Sequence, residues 1–201
     1  FQPESEMDAR LQAISDPDKR MVKTFKKEGK EVKESRISTL KPNEIGYLNI
    51  ANFKQDGVAA SAKEVGTILE VTLAKPLLPG AKTIFTLDFE GQVPVQIRRS
   101  GRNNKEGVEL SMTQWYPKIA EYDYDGWAAF DYVGREFHAP FSDYEVNIKI
   151  DKDYVIGAGG NLENPTEVKG YDSNAAIKQD ISNKVTWKWT AKNILDFAWA
   201  A

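Results

Sequence analysis

The segment YEVNIKI, residues Tyr144–Ile150, decides the fold class of this chain. Its apolar and polar residues alternate, and successive side chains of a β-strand point to opposite faces. The segment VTWKWT, residues Val185–Thr190, repeats the pattern with tryptophans at two of the apolar positions. Each segment therefore carries one apolar and one polar face. This predicts strands of an antiparallel sheet that is buried on one side and solvated on the other.

Strand-type composition continues through most of the chain, and turn signals such as Leu78-Pro79-Gly80 separate the segments. The predicted strands are Ile45–Phe53, Thr67–Leu73, Thr83–Ile97, Val108–Tyr116, Tyr144–Ile150, Tyr154–Ala158 and Val185–Asn193. Many short strands with almost no helix predict an all-β fold, either an antiparallel β-sandwich or a saddle-like sheet. A single domain is expected over residues 1–201. Residues 1–44 carry no firm motif beyond one predicted short helix, Met7–Arg20.

Composition narrows the classes of function. The chain has 201 residues and a net charge of −3, which gives no general attraction to nucleic acid or to an anionic membrane. No apolar run approaches the roughly 20 residues that a membrane-spanning helix needs. The segment Lys19–Arg36 is rich in charge but lacks interleaved aromatics beyond Phe25. It is interpreted as a solvated ribbon or loop rather than a nucleic-acid patch.

Cysteine and histidine limit the chemistry that the chain can support. There is no cysteine, which excludes disulfides, thiol catalysis and thiolate metal sites, and the one histidine is His138. A catalytic zinc takes three protein ligands, commonly with histidines among them. A Ser-His-Asp triad needs its histidine beside a positioned serine, and no Gly-x-Ser-x-Gly motif occurs. His138 is therefore interpreted as a partly buried structural residue, and no catalytic or metal-binding residue is assigned.

Two short motifs mimic ligand sites. The segment Glu121–Gly126 has acidic residues at alternate positions followed by glycine, like the first half of a calcium loop. The position of the closing glutamate holds Tyr132, so the segment is predicted to be a solvated acidic turn. Gly157–Gly160 follows a strand as a phosphate-binding turn does, but a dinucleotide fingerprint needs a helix next. This segment is predicted to be a hairpin connection.

The order of the motifs in the second half resembles one protein family. The motifs are Thr113–Lys118, Tyr122-Asp123, Gly126-Trp127, Tyr132–Phe137, Asp143–Val146, Tyr154–Asn164 and Thr190–Ala200. Together they resemble the N-terminal β domain of the aminopeptidase N-like (gluzincin) zinc metallopeptidases, in the subgroup typical of secreted or periplasmic bacterial enzymes. The resemblance covers about Val108 to Ala201 and is weak before that.

The resemblance implies a non-catalytic domain that shapes a substrate cleft and packs on a thermolysin-like catalytic domain of the same polypeptide. The family's catalytic domain carries the zinc signature H-E-x-x-H and a Gly-Ala-Met-Glu-Asn-like motif, and neither occurs here. We therefore expect no cofactor in this chain and zinc in the missing catalytic domain. The apolar segment Ile194–Ala201 agrees with a chain that stops just before that domain. A periplasmic or extracellular location and a peptide substrate of the intact enzyme follow from the same resemblance.

Two residues are candidates for substrate binding by the same resemblance. A glutamine that matches Gln114 helps to line the family's pocket for the first substrate residue. Many members place a glutamate two residues later to bind the substrate amine, but Tyr116 stands at that position. This departure weakens the case for strict aminopeptidase specificity. Structural alternatives are an end-of-strand polar residue for Gln114 and a core aromatic for Tyr116.

Two other classes of function stay open at this stage. A stand-alone β-sandwich could bind glycans or surface proteins through the aromatic and acidic segment 115–137, which requires exposed aromatics. Buried aromatics, with an apolar patch around Phe197 and Trp199, would instead favour the docking domain. A glycosidase would need two carboxylates that face each other across a cleft at about 5–9.5 Å.

Overall fold

The computed structural model describes residues 22–37, 39–97, 99–129 and 139–201. Their strands, in chain order, are β1 (Val22–Lys27), β2 (Lys30–Ser35), β3 (Tyr47–Gln55), β4 (Val58–Ala59), β5 (Ser61–Val65), β6 (Ile68–Thr72), β7 (Phe85–Gln92), β8 (Gly101–Arg102), β9 (Leu110–Met112), β10 (Tyr122–Asp123), β11 (Gly126–Trp127), β12 (Ser142–Asp151), β13 (Gly157–Ala158), β14 (Asn161–Leu162), β15 (Lys184–Ile194) and β16 (Trp199–Ala200). One 3-10 turn, Pro165–Glu167, is the only helical element of the described residues. The predicted all-β antiparallel fold with little helix is confirmed.

The described residues fall into two compact units. Residues 22–37, 39–97 and 122–129 belong to unit 1, and residues 99–121 and 139–201 belong to unit 2. The single domain expected over residues 1–201 stays a prediction. The predicted helix Met7–Arg20 lies outside the described residues, as do His138 and the motif Tyr132–Phe137. No helix of the described residues is long and apolar enough to cross a membrane.

Unit 2 contains two antiparallel sheets. One has the order β12-β15-β14 and the other β13-β16-β9-β8. The long pair β12 and β15 forms the alternation that the sequence predicted: Val185, Trp187 and Trp189 are buried, while Lys188 between them is exposed. These buried residues belong to one core with Phe197 and with Trp199 of the second sheet. Two sheets that share one core form a β-sandwich.

The aromatic residues of this core pack in defined geometries. The rings of Trp187 and Trp189 are parallel, with centroids 6.5 Å apart. Tyr171 meets both rings edge-on, and its hydroxyl donates a 2.8 Å hydrogen bond to the carbonyl of Ile156. Phe197 is fully buried, and a side chain of this size contributes about 1.5–3 kcal/mol when it leaves water. Burial of these rings therefore stabilises unit 2, although the indole N–H groups of Trp187, Trp189 and Trp199 are buried without a hydrogen-bond partner among the described residues.

A bulge at the end of the long strand pair redirects the chain towards the second sheet. The register between β12 and β15 shifts between Ser142 and Tyr144. At this point Asn193 has a left-handed backbone with φ of 52°, and its N–H donates a 2.8 Å hydrogen bond to Oδ1 of Asp143. Asparagine tolerates this backbone conformation better than other non-glycine residues. Just beyond the bulge, the chain reaches Asp196 and Phe197.

Gly157–Gly160 is not the hairpin that the sequence predicted. β13 pairs with β16, whereas β14 pairs with β15, so the glycine segment crosses from one sheet of unit 2 to the other. A Cβ at Gly160 would lie 2.5 Å from the carbonyl oxygen of Thr190. The crossing therefore needs glycine because a neighbouring backbone approaches it closely.

Unit 1 consists of smaller sheets. It contains the hairpins β1-β2 and β5-β6 and a three-stranded sheet of order β4-β3-β7. β1 and β2 are mostly exposed, which confirms the solvated ribbon predicted within Lys19–Arg36. Gln55 is buried, and its side chain exchanges two hydrogen bonds with the backbone of Lys75. Ile37 and Ile97 form a second, small core.

Several predicted strands are shorter in the structure. The segment predicted as Val108–Tyr116 is a strand only at Leu110–Met112, because the chain turns at Gln114 with φ of 51°. The segment predicted as Tyr154–Ala158 is a strand only at Gly157–Ala158. A turn precedes Tyr154, in which Oδ1 of Asp151 accepts from the N–H of Asp153, and the strand begins only after this turn.

Candidate functional site

Gln114 occupies the tip of a turn that follows β9. Its side chain is exposed and makes no hydrogen bond with the described residues, and its φ of 51° is in the left-handed region. The preceding residue, Thr113, is tied to Ser100: its N–H donates to the Ser100 hydroxyl at 3.2 Å, and the two hydroxyl oxygens lie 2.6 Å apart. The turn is thus anchored on its upstream side and presents Gln114 to solvent.

Trp115 and Tyr116 anchor the turn on its downstream side. The indole N–H of Trp115 donates to the carbonyl of Phe197 at 3.0 Å. The hydroxyl of Tyr116 donates to Oδ1 of Asp196 at 2.8 Å, and it accepts from the N–H of Phe197 at 3.4 Å. Two consecutive aromatic side chains therefore bond to two consecutive residues near the end of the chain.

Asp196 also forms an ion pair with a lysine side chain. The Nζ atom of Lys118 lies 3.6 Å from the same Oδ1 that accepts from Tyr116. Burial, followed by hydrogen bonding with Tyr144 and Asp196, raises the pKa of the Tyr116 hydroxyl well above its usual range. Tyr116 is therefore a neutral hydrogen-bond donor at physiological pH, and Asp196 accepts its proton in the hydrogen bond.

A shallow, open depression of about 180 Å³ lies beside this cluster. It is lined by Tyr116, Pro117, Lys118, Ile119, Ala139, Pro140, Ser142 and Tyr144. Of the two candidate substrate residues, Tyr116 lines the depression and Gln114 does not. The Tyr116 hydroxyl donates to Asp196, and the substrate-binding role of both residues stays a prediction. The Gln114 amide, by contrast, is available to a ligand.

The segment Glu121–Gly126 contributes to a short hairpin of unit 1, formed by β10 and β11. Its turn is closed by the Asp125 N–H, which donates to Oδ1 of Asp123 at 2.8 Å. Tyr122, Tyr124 and Trp127 are 67%, 95% and 58% exposed. The rings of Tyr122 and Trp127 meet edge-on with centroids 5.0 Å apart. The acidic turn predicted from the sequence therefore carries an exposed aromatic pair.

Phe197 and Trp199 do not form the exposed apolar patch that would favour a docking domain. Phe197 is fully buried and Trp199 is 9% exposed, and both belong to the core of unit 2. The apolar composition of the end segment does not by itself show whether the segment faces this chain or another domain. The core of unit 2 accounts for the apolar character of Ile194–Ala201.

The described residues do not fit a zinc ion. No group of three histidine, cysteine or carboxylate residues among them comes close enough together to hold a metal. The depression beside Tyr116 is lined by no carboxylate. A larger depression of about 440 Å³ in unit 1 has one carboxylate in its lining, that of Glu64. Within the described part of the chain, neither depression therefore meets the condition for a glycosidase, two carboxylates across a cleft.

Comparisons with protein-family models, with curated proteins and with solved structures found no match to this chain.

Sequence reasoning missed Asp196 and Lys118 as parts of the candidate site. Asp196 is the single charged residue in the apolar segment Ile194–Ala201. A carboxylate in an otherwise apolar run needs a hydrogen-bond donor or a cation when the run is buried, and this signal could have identified it. Its partner could not be read from the sequence, because Tyr116 lies 80 positions away.

Proposed function

We propose that this chain is a non-catalytic β domain of a zinc-dependent, aminopeptidase-type metallopeptidase. It shapes the substrate cleft and packs on a catalytic domain of the same polypeptide, located in the periplasm or outside the cell. The zinc and the catalytic residues lie outside these 201 residues. In this role the chain alone hydrolyses nothing, and the intact enzyme acts on peptides.

The observation that carries the proposal is the pairing of two family-like motifs. The motif Thr113–Lys118 and the motif Thr190–Ala200 are far apart in sequence, yet Trp115 and Tyr116 bond directly to Phe197 and Asp196. Because the residues of one motif hydrogen-bond to residues of the other, a domain that needs one motif also needs the other. The pairing also leaves Gln114 exposed at the tip of a fixed turn, as a residue that lines a substrate pocket must be.

Peptidase activity and bound zinc, measured in parallel on this chain and on the same protein extended beyond Ala201, test the proposal. We expect both in the extended protein and neither in the chain alone. Gln114→Ala in the extended protein should weaken substrate binding, whereas the exposed control Asn147→Ala on the outer face of β12 should not. Hydrolysis or stoichiometric zinc in the chain alone would overturn the proposal.

The exposed aromatic hairpin favours a second candidate, a β-sandwich module that binds glycans or surface proteins. Tyr122 and Trp127 present aromatic surface with neighbouring carboxylates, a combination that suits the stacking and hydrogen bonding of a sugar ring. Binding of the chain to a glycan array, compared with the Trp127→Ala variant, tests this candidate. Specific glycan binding that Trp127→Ala abolishes would favour it over the peptidase domain.

A further inference from the structure

The turn at Gln114 is held from both sides, but only one of its anchors carries a charge. Upstream, Thr113 and Ser100 are joined by hydrogen bonds between neutral groups. Downstream, Oδ1 of Asp196 accepts from the Tyr116 hydroxyl at 2.8 Å and lies 3.6 Å from Nζ of Lys118. Hydrogen bonds to an ionised acceptor are about twice as strong as those between neutral groups. Asp196 is thus the strongest single anchor of the turn.

The location of Asp196 suits this role. The side chains of Asp196 and Lys118 are about one-fifth exposed, so solvent screens their attraction only partly. The residue after Asp196, Phe197, is fully buried and accepts from the Trp115 indole. The backbone that carries the carboxylate is therefore fixed in the core of unit 2.

The left-handed backbone of Gln114 makes the anchoring necessary. A non-glycine residue in this region is disfavoured, and such a conformation persists when the surrounding structure enforces it. Here the residues on both sides of Gln114 supply that constraint. Loss of the Asp196 carboxylate removes the hydrogen bond from Tyr116 and the ion pair with Lys118 together. It leaves the Tyr116 hydroxyl with the longer bond from the Phe197 N–H, so we expect the turn to relax towards an extended backbone.

We infer that Asp196 is a positioning residue: through Tyr116 and Lys118 it fixes the turn that directs the Gln114 side chain to a peptide substrate. This inference rests on the proposed function. Asp196 itself does not contact the substrate in this arrangement. Its effect on substrate binding passes through the backbone of Gln114.

A double-mutant cycle in the intact, zinc-loaded enzyme tests the inference. Asp196→Ala and Gln114→Ala should each raise KM on the order of tenfold, with a smaller change in kcat, because a misplaced binding group costs affinity. If both act through one group, the double variant should be no worse than either single variant. Asp196→Asn should raise KM less than Asp196→Ala does, since the amide oxygen of asparagine can still accept from Tyr116. Additive effects of the two single variants would overturn the inference.

Asp180→Ala is the matched control. It removes another carboxylate of unit 2 that pairs with a lysine, Lys149, and that otherwise bonds to its own neighbours Ser182 and Lys184. It should lower stability without a change in KM. An equal rise in KM for Asp180→Ala would show that Asp196 acts only through general stability.

A measurement on the chain itself separates failure of the inference from failure of the proposed function. In NMR spectra, the φ-sensitive coupling and the side-chain amide signals of Gln114 should change in Asp196→Ala and stay unchanged in Asp180→Ala. Unchanged Gln114 signals in Asp196→Ala would overturn the inference, whatever the activity. An intact protein without peptidase activity would instead overturn the proposed function and the substrate role that rests on it.

Discussion

The Tyr116 hydroxyl donates a 2.8 Å hydrogen bond to Oδ1 of Asp196, across 80 positions of sequence. This bond joins the segment after β9 to the segment before β16 at one edge of the unit 2 core. It gives a partly buried phenol its partner and gives a carboxylate in an apolar run its donor. The same bond occupies the one proton that the Tyr116 hydroxyl could donate to a ligand.

Tyr116→Phe should change how stability depends on pH. The folded state raises the pKa of Tyr116. The stabilisation from its protonated hydroxyl is therefore full below about pH 10, the pKa of an unfolded tyrosine, and is lost as the pH rises above it. The stability difference between the original chain and Tyr116→Phe should shrink from pH 9 to pH 11.5. Urea unfolding followed by tryptophan fluorescence measures this difference.

Another tyrosine in unit 2 does not disturb this comparison. A hydrogen bond with Glu109 raises the pKa of Tyr154, but Tyr154 is present in both proteins and its contribution cancels. A stability difference that stays constant across this pH range would contradict the assignment of the effect to Tyr116.

Gly160→Ala should destabilise unit 2 by about 1–3 kcal/mol, the usual cost of forcing extra volume into a packed site. The new Cβ would lie 2.5 Å from the carbonyl oxygen of Thr190, which belongs to the central strand β15 and cannot move away easily. Gly159→Ala is the matched control, because a Cβ there meets its nearest atom, the carbonyl oxygen of Ala198, at 3.9 Å. Urea unfolding of both variants measures the difference. Equal losses would show that the close approach is not the cause.

Asn164→Ala should lower the free energy of unfolding of unit 2 by about 1–2 kcal/mol, because it removes two part-buried hydrogen bonds to the backbone. Asn164 is buried, its Nδ2 donates to the carbonyl of Thr186 at 3.0 Å, and its Oδ1 accepts from the N–H of Lys188 at 3.0 Å. Thermal unfolding compared with the exposed control Asn147→Ala tests this expectation. A loss no larger than that of the control would mean that water replaces both bonds.

Unit 1 should lose stability in acid through Asp56. Its carboxylate accepts from the backbone N–H of Ile84 at 2.9 Å and from the Thr83 hydroxyl at 3.0 Å, and pairs with Lys75 at 3.0 Å. The Ile84 N–H, followed by Lys75 and Thr83, lowers the pKa of Asp56 to about 2. The stabilisation is therefore present above about pH 4, the pKa of an unfolded aspartate, and is lost as the pH falls towards 2.

Amide hydrogen exchange of β3 and β7 between pH 5 and pH 2 measures this acid effect. Protection should fall with pH in the original chain and depend less on pH in Asp56→Asn. The exposed control Glu70→Gln should behave like the original chain. An identical acid response of Asp56→Asn would rule out Asp56 as its source.

The sequence by itself determined the fold class and the two long strands β12 and β15. The alternation in Tyr144–Ile150 and Val185–Thr190 has a period of two, and this period alone assigns each side chain to the buried or the solvated face. Strand ends were less predictable. Gln114 and Asn193 adopt left-handed conformations that neither residue type requires, so the end of β9 and the bulge in β15 could not be derived from local pattern.

The tertiary structure decided which residues meet. That Tyr116 finds Asp196, that Gly157–Gly160 crosses between sheets, and that Phe197 and Trp199 face the core of their own unit all depend on contacts between distant segments. Local sequence does not show which distant segments come into contact, because the same alternating strand can bury its apolar face against any suitable partner. The exposed position of Gln114 was likewise fixed by bonds on either side of it. These bonds exist only after β9 has paired with β8 and with β16.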